Sequence, residues 1–107
     1  MGGLMKRGEI RWYKFKAPDK KRPVLILTRN SILDYLGEVT VAPITSTVRS
    51  IPSEVSLSRE DGMPKECAIN LDHLQTVSKG KIGTLISTLS GEKLKQVHKA
   101  ILFALDL

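Results

Sequence analysis

The chain has 107 residues, with 17 Lys plus Arg against 11 Asp plus Glu, which gives a formal net charge of +6 at pH 7. This length makes one domain with a single core, and the excess of cations favours a polyanionic partner such as nucleic acid. The single cysteine excludes an intramolecular disulfide, and no apolar run approaches the ~18 residues of a membrane-spanning helix, so we expect a cytoplasmic protein without a membrane partner.

The first elements are predicted to be short strands. "MGGL", residues 1–4, is interpreted as an alternative start or a vector-derived remnant, so the domain is expected to span residues 5–107. "GEIRWYKFK", Gly8–Lys16, has strand composition, with Ile10 and Trp12 on one face and the opposite face formed by Tyr13 and Phe15. After the turn "APDKK", the run Val24–Thr28 has the apolar character of a buried strand.

The middle of the chain continues this pattern. "RNSILDYLG" is predicted to be a connection with one helical turn, and "EVTVAPIT", Glu38–Thr45, is a strand in which Pro43 favours an edge position or a bulge. Further strands are predicted at Glu54–Leu57 and Cys67–Leu71, with a kink near Asp72. "KGKIGTLIS" completes the β portion.

The last segment changes from strand to helix periodicity. In "LSGEKLKQVHKAILFAL", Ser90 is a natural N-cap, and an apolar stripe follows at helical spacing. The stripe consists of Leu94, Val97, Ile101, Ala104 and Leu105. Several short strands followed by one amphipathic helix predict a small β-barrel with the helix packed on it.

Most classes of catalytic chemistry lack a sequence signal. One Cys and two His match no zinc spacing, and no Gly-rich loop joins a strand to a helix, so neither a metal nor a cofactor is expected. Cys67 lies inside an apolar strand pattern and is predicted to be a core residue. Arg22, Thr45 and Asp72, by contrast, each stand at the end of a separate strand. Polar groups held on such a rigid scaffold often carry function.

Six blocks of the sequence resemble, in order, the MazF/PemK/Kid toxin endoribonucleases. These blocks are "MKRGEIRW", "RPVLIL", "VTVAPITSTVR", "IPSEVSL", "DGMPKECAINLDHLQTV" and "LSGEKLKQVHKAILFAL". The resemblance implies a mainly β fold with a C-terminal helix, an SH3-like β-barrel of the MazF/PemK/CcdB type that works as a homodimer. It also implies a toxin of a type II toxin–antitoxin system that cleaves single-stranded RNA sequence-specifically without metal, and a cognate antitoxin that occupies the RNA groove.

The resemblance also assigns individual residues. Arg22 in "RP" and Thr45 in "PIT" correspond to the catalytic arginine and threonine of the family, and Asp72 in "LDH" stands where relatives have an acidic residue implicated in RNA binding or catalysis. The loop before "RP" is shorter than in many relatives, so Asp19 is at best a substitute for the acidic or His residue of that loop. The RNA-binding candidates are Lys20, Lys21, Arg29, Ser46, Arg49, His73 and Gln75. The positions of His73 and Gln75 usually hold other residues in the family, so direct base contacts there are expected to differ.

The implied reaction is attack of the ribose 2′-hydroxyl, which leaves a 2′,3′-cyclic phosphate and a 5′-hydroxyl. Pro23 restricts Arg22 to extended geometry, and a guanidinium held in this way can form paired hydrogen bonds to a phosphate. Arg22 is a poor general base because its pKa exceeds ~12. The choice of base between Asp19, Asp72 and neither stays open.

Two other functions are compatible with the composition. A gyrase-directed toxin of the CcdB type has a similar fold and poisons a protein, and a non-catalytic barrel would bind RNA in a salt-dependent manner and leave it intact. The antitoxin of a ribonuclease toxin is expected to bind through an acidic, flexible tail, because one positive groove must accept RNA and inhibitor in turn.

Overall fold

The computed structural model describes residues 5–14 and 21–107. Within these residues the chain forms seven strands and two α-helices. The strands are β1 (Glu9–Lys14), β2 (Lys21–Ile26), β3 (Glu38–Thr45), β4 (Glu54–Leu57), β5 (Cys67–Asn70), β6 (Gln75–Ser78) and β7 (Ile82–Thr88), and the helices are α1 (Asn30–Leu33) and α2 (Gly91–Leu105). Short 3-10 turns occupy Arg59–Asp61, Leu71–His73 and Lys79–Lys81.

All strand pairs are antiparallel, in the order β4-β5-β3-β2-β1-β7, and β6 pairs with the first half of β3. No ladder joins β4 to β7 in the described part of the chain, so the barrel is open along that side. The predicted class, a mainly β fold followed by a C-terminal helix, is confirmed. β2 begins earlier than the apolar run predicts and includes Arg22 and Pro23 as strand residues.

Pro43 lies in a central strand, so the predicted edge position is wrong. One edge of β3 pairs with β2. Along its other edge, Glu38 to Val41 pair with β6, and Ile44 and Thr45 pair with β5. Pro43 falls where the partner changes from β6 to β5, in register with neither strand. A residue without an N–H therefore removes no ladder hydrogen bond from this edge.

The sheet carries a hydrophobic cluster on each face. The larger cluster lies under α2 and includes Ile10, Leu25 and Ile44, whereas the smaller one includes Tyr13, Val24 and further side chains of β2, β3, α1 and β6. Successive strand residues point to opposite faces, so a strand buried on both sides reads as a continuous apolar run rather than an alternating one. This explains the sequence of β2.

Helix α2 begins as predicted, because the Ser90 hydroxyl oxygen accepts the Lys93 N–H at 3.1 Å. Val97 and Ala100 are its buried residues. Of the predicted stripe, Leu94, Ile101 and Ala104 also pack against the larger cluster, whereas Leu105 is 52% exposed. Among the residues that the structure covers, none of the helices has the length and apolar character needed to cross a membrane.

Candidate functional site

A cavity of about 360 Å³ lies at the end of the barrel where β2 begins and β3 ends. Its lining combines cationic and hydroxyl side chains with an apolar set. The polar residues are Lys21, Arg22, Thr45, Ser46 and Lys65, and the remaining ones are Trp12, Pro23, Ile44, Met63, Pro64 and Cys67. The described part of the lining contains no carboxylate, so its charge is positive.

Arg22 and Thr45 come together through the register of two strands. In the β2–β3 ladder, Val24 lies opposite Pro43 and Leu25 opposite Ala42. If this register is continued toward the start of β2, Arg22 lies opposite Thr45, and both residues line the cavity. The two residues that the family resemblance marks as catalytic therefore share one site.

Local contacts leave both side chains available to a ligand. The Thr45 hydroxyl oxygen accepts the Thr47 N–H at 3.1 Å. This contact fixes the oxygen, and the hydroxyl proton remains free to be donated. Arg22 is exposed, and no carboxylate of residues 5–14 or 21–107 forms an ion pair with it. A guanidinium in this state can bind an anion without first breaking an ion pair.

Asp72 does not line this cavity. Thr45 pairs with Ala68 near the start of β5, whereas Asp72 follows the other end of that strand. The Asp72 carboxylate accepts the Ser53 hydroxyl at 2.5 Å, and its backbone N–H donates to the Asn70 side chain at 2.9 Å. The strand direction thus separates Asp72 from Arg22 and Thr45.

The other candidates divide between several regions. Lys21 and Ser46 line the cavity with Arg22, but Arg29 lines a second cavity of about 710 Å³ beyond the opposite end of β2. Arg49 is an exposed loop residue whose N–H donates to Glu54 at 2.9 Å. His73 and Gln75 lie with Asp72, away from the first cavity, because Gln75 pairs with Val41. Asp19 and Lys20 lie outside the described residues.

The sequence alone gives no sign that several residues line the cavity, among them Trp12, Met63 and Lys65. Trp12 follows Ile10 at strand spacing, but Ile10 is fully buried, whereas Trp12 is 36% exposed and lines the cavity with Arg22. Met63 and Lys65 belong to the segment between β4 and β5, for which the sequence predicts no strand or helix. Trp12 reaches the site because it lies opposite Pro23 in the β1–β2 ladder. A pattern within one strand carries no signal for that pairing.

Cys67 forms part of the cavity floor and is only 6% exposed, which confirms its prediction as a core residue. Burial raises the pKa of the Cys67 thiol, the nearby Asp61 charge raises it further, and Lys65 opposes both effects. The thiol is therefore neutral at pH 7, which does not suit a nucleophile. Across residues 5–14 and 21–107, no group of three or more His, Cys, Asp or Glu side chains is placed to hold a metal ion.

Comparison with known proteins identifies the family. Residues 6–105 match the model of the PemK-like, MazF-like toxins of type II toxin–antitoxin systems. The chain belongs to this family. Among PemK/MazF proteins, it is 39% identical over 89 residues to endoribonuclease MazF3 of Mycobacterium tuberculosis, which covers 83% of this chain and 86% of that protein. It is 33% identical to the probable endoribonuclease MazF5 of the same organism, over 99% of this chain and 97% of that one.

Solved structures agree with this assignment. The Mycobacterium tuberculosis toxin MazF-mt6 superposes with a TM-score of 0.85 at 35% identity, covering 92% of this chain and 97% of that one. A mycobacterial endoribonuclease in complex with its cognate antitoxin gives a TM-score of 0.87 at 22% identity, covering 97% of each chain, and shares the fold. The chain is thus a member of a family of endoribonuclease toxins with the PemK/MazF fold.

Proposed function

We propose that this PemK/MazF toxin cleaves single-stranded RNA at the cavity that holds Arg22 and Thr45. The ribose 2′-oxygen attacks the adjacent phosphate as the bond from phosphorus to the 5′-oxygen breaks. The 2′-hydroxyl proton is lost to water and the 5′-oxygen takes up another, so the products carry a 2′,3′-cyclic phosphate and a 5′-hydroxyl. The observation that carries the proposal is the convergence of Arg22 and Thr45, from two strands, on one positively charged cavity. This chemistry requires charge stabilisation and proton transfer, and the RNA itself supplies the nucleophile.

The roles follow from the chemistry of each group. Arg22 forms paired hydrogen bonds to the phosphate as its charge rises in the transition state. Thr45 donates its free hydroxyl proton to a phosphate oxygen. Lys21 and Lys65 add positive charge around the same cavity, so the reaction needs no metal ion. No carboxylate lines the described part of the cavity, so no Asp or Glu there is assigned as the base.

Cleavage of mixed RNA by the purified protein, in the presence of excess EDTA, tests this function. We expect a restricted set of cut sites, and the new 5′ ends should require phosphorylation before they can be ligated and sequenced. Intact RNA would contradict the proposal, as would cleavage that EDTA abolishes. Binding without cleavage would instead indicate a non-catalytic RNA-binding barrel.

Thr45→Val tests the hydroxyl separately from the shape of the side chain. Valine keeps the β-branched form, and the Thr47 N–H that loses its acceptor is exposed and can bond to water, so the end of β3 changes little. Loss of one hydrogen bond to a charged group should lower the cleavage rate by about 10- to 100-fold. Single-turnover kinetics on a short RNA measures this effect. The control is Thr88→Val, at an exposed position of β7 outside the cavity, and an unchanged rate in Thr45→Val would remove Thr45 from the mechanism.

We also propose that the toxin works as a homodimer and that an antitoxin with an acidic, flexible tail inhibits it. Phe103 and Leu105, at 60% and 52% exposure, give the end of α2 an uncovered apolar surface that a second copy would bury. Sedimentation at micromolar concentration should show dimers, and a monomer would contradict the first assignment.

The cationic cavity attracts an acidic tail and RNA alike. An acidic antitoxin peptide should therefore compete with RNA for the toxin. RNA binding that the peptide leaves unaffected would contradict the second assignment.

A further inference from the structure

Along β2 and β3, the cavity residues Pro23 and Ile44 alternate with Arg22 and Thr45, so the lining has an apolar side as well as a polar one. Arg22, Thr45 and Ser46 contribute the polar groups. The floor is apolar and consists of Ile44, Met63 and Cys67, which are 4%, 5% and 6% exposed. Trp12 and Pro23 complete the apolar side. A site for a phosphate alone would need only the polar side.

The apolar side does not suit the sugar–phosphate backbone. A phosphate or a ribose hydroxyl placed against Ile44 and Met63 would lose its hydration without gaining hydrogen bonds, which is costly. A nucleobase, by contrast, has two apolar faces and a polar edge. Every RNA that brings a phosphate to Arg22 also brings a base next to it.

Trp12 provides the surface on which such a base can stack. It lies opposite Pro23 in the β1–β2 ladder, and Pro23 follows Arg22 directly. The backbone of Trp12 is therefore held at a fixed position relative to β2. At 36% exposure it is partly open to solvent, although tryptophan is typically well buried. Aromatic side chains beside a cationic groove are the usual stacking surfaces of proteins that bind single-stranded nucleic acids.

We infer that the apolar side of this cavity is a nucleobase subsite, in which a base flanking the scissile phosphate stacks on Trp12 over the floor formed by Ile44 and Met63. The inference rests on the proposed function and extends it, because it assigns a substrate-binding residue beyond Arg22 and Thr45. Stacking on an aromatic side chain contributes to the binding of any base, so Trp12 positions the RNA, and the shape of the floor limits which base fits.

Abasic substrates provide the first test. A short RNA with one cut site is prepared with its full set of bases and with an abasic nucleotide at each position flanking the scissile phosphate. For wild-type protein, we expect kcat/KM to fall by about 10- to 100-fold at one of these positions. Trp12→Ala should lose a similar factor on the full substrate and little more on that abasic substrate, because the same contact has already been removed.

Two further variants separate stacking from folding. Trp12→Phe retains an aromatic face and should keep most of the activity that Trp12→Ala loses. Leu85→Ala changes a 50% exposed apolar residue of β7 outside the cavity and should cleave both substrates as the wild type does. If the losses from Trp12→Ala and from the abasic nucleotide multiply, the base does not stack on Trp12 and the inference is overturned, while RNA cleavage stands.

Fluorescence gives a readout that does not depend on cleavage. Trp12 is the only tryptophan of the chain, so all tryptophan emission comes from the proposed subsite. An RNA with a 2′-deoxy nucleotide at the cut site cannot react, and its binding should quench the emission. The matched abasic RNA should bind with much less quenching. Equal quenching by both would overturn the inference even if the wild type cleaved no RNA, an outcome that would separately overturn the proposed function.

Discussion

Arg22→Ala is expected to lower the rate of RNA cleavage by about 10²–10³-fold, the usual cost of removing one preorganised donor from a developing negative charge. Arg22 is the second residue of β2 and lines the same cavity as Thr45. Because Arg22 is exposed, its removal leaves no cavity in the core, and the free energy of unfolding should change by less than about 1 kcal/mol.

Single-turnover cleavage and urea denaturation, carried out on the same preparations, measure the two quantities. Arg7→Ala is a suitable control, since it removes the same charge from an exposed position that does not line this cavity. RNA binding should weaken only modestly in Arg22→Ala, because Lys21 and Lys65 still attract the phosphates. A variant that cleaves at the wild-type rate would show that Arg22 is not catalytic.

Gly62→Ala is expected to destabilise the fold by about 2–4 kcal/mol, from backbone strain together with steric overlap. Gly62 has a φ of +88°, and an added Cβ would lie 2.3 Å from the Ser87 Oγ and 2.9 Å from its Cβ. Ser87 has little freedom to move, because its hydroxyl donates to the Asp61 carbonyl at 2.6 Å. Met63, the next residue, forms part of the cavity floor, so cleavage should fall as well.

Urea denaturation of Gly62→Ala beside Gly37→Ala measures this effect. A Cβ at Gly37 would meet nothing within 4 Å, so the control should stay within about 1 kcal/mol of the wild type. The double variant Gly62→Ala/Ser87→Gly should recover part of the loss, because it removes the overlap and leaves the strain. Equal stability of the two single alanine variants would mean that the turn at Gly62 relaxes without cost.

Local signals in the sequence predict where the strands and helices lie, but they do not predict which of these elements lie next to each other in space. Helix α2 could be predicted because its N-cap, Ser90, and the periodicity that follows are properties of adjacent residues. The exposure of Leu105 could not, since it depends on which parts of the chain pack against the end of the helix. Pro43 favours an edge position or a bulge on sequence grounds because a proline interrupts a ladder, but β3 changes its pairing strand from β6 to β5 at this residue.

The candidate site shows the same division. Strand-end position alone grouped Arg22, Thr45 and Asp72, and the family resemblance gave them roles. The register of β2 on β3 brings the first two together, whereas the direction of β5 carries Asp72 away. Trp12 could not be predicted at the site, because its place there depends on the pairing of β1 with β2.

The buried run of β2 has a consequence for how Arg22 is aligned. Val24 to Leu27 are buried on both faces, so sliding β2 by one residue along β3 would exchange apolar side chains between the two clusters without exposing them. Hydrophobic burial therefore discriminates weakly between these alignments. One side-chain contact that depends on the alignment lies just beyond the far end of β2, where the Thr28 hydroxyl oxygen accepts the Thr40 N–H at 2.8 Å. A substitution at Thr28, about 20 Å along the extended chain from Arg22, would loosen the alignment of Arg22 with Thr45 without touching the RNA.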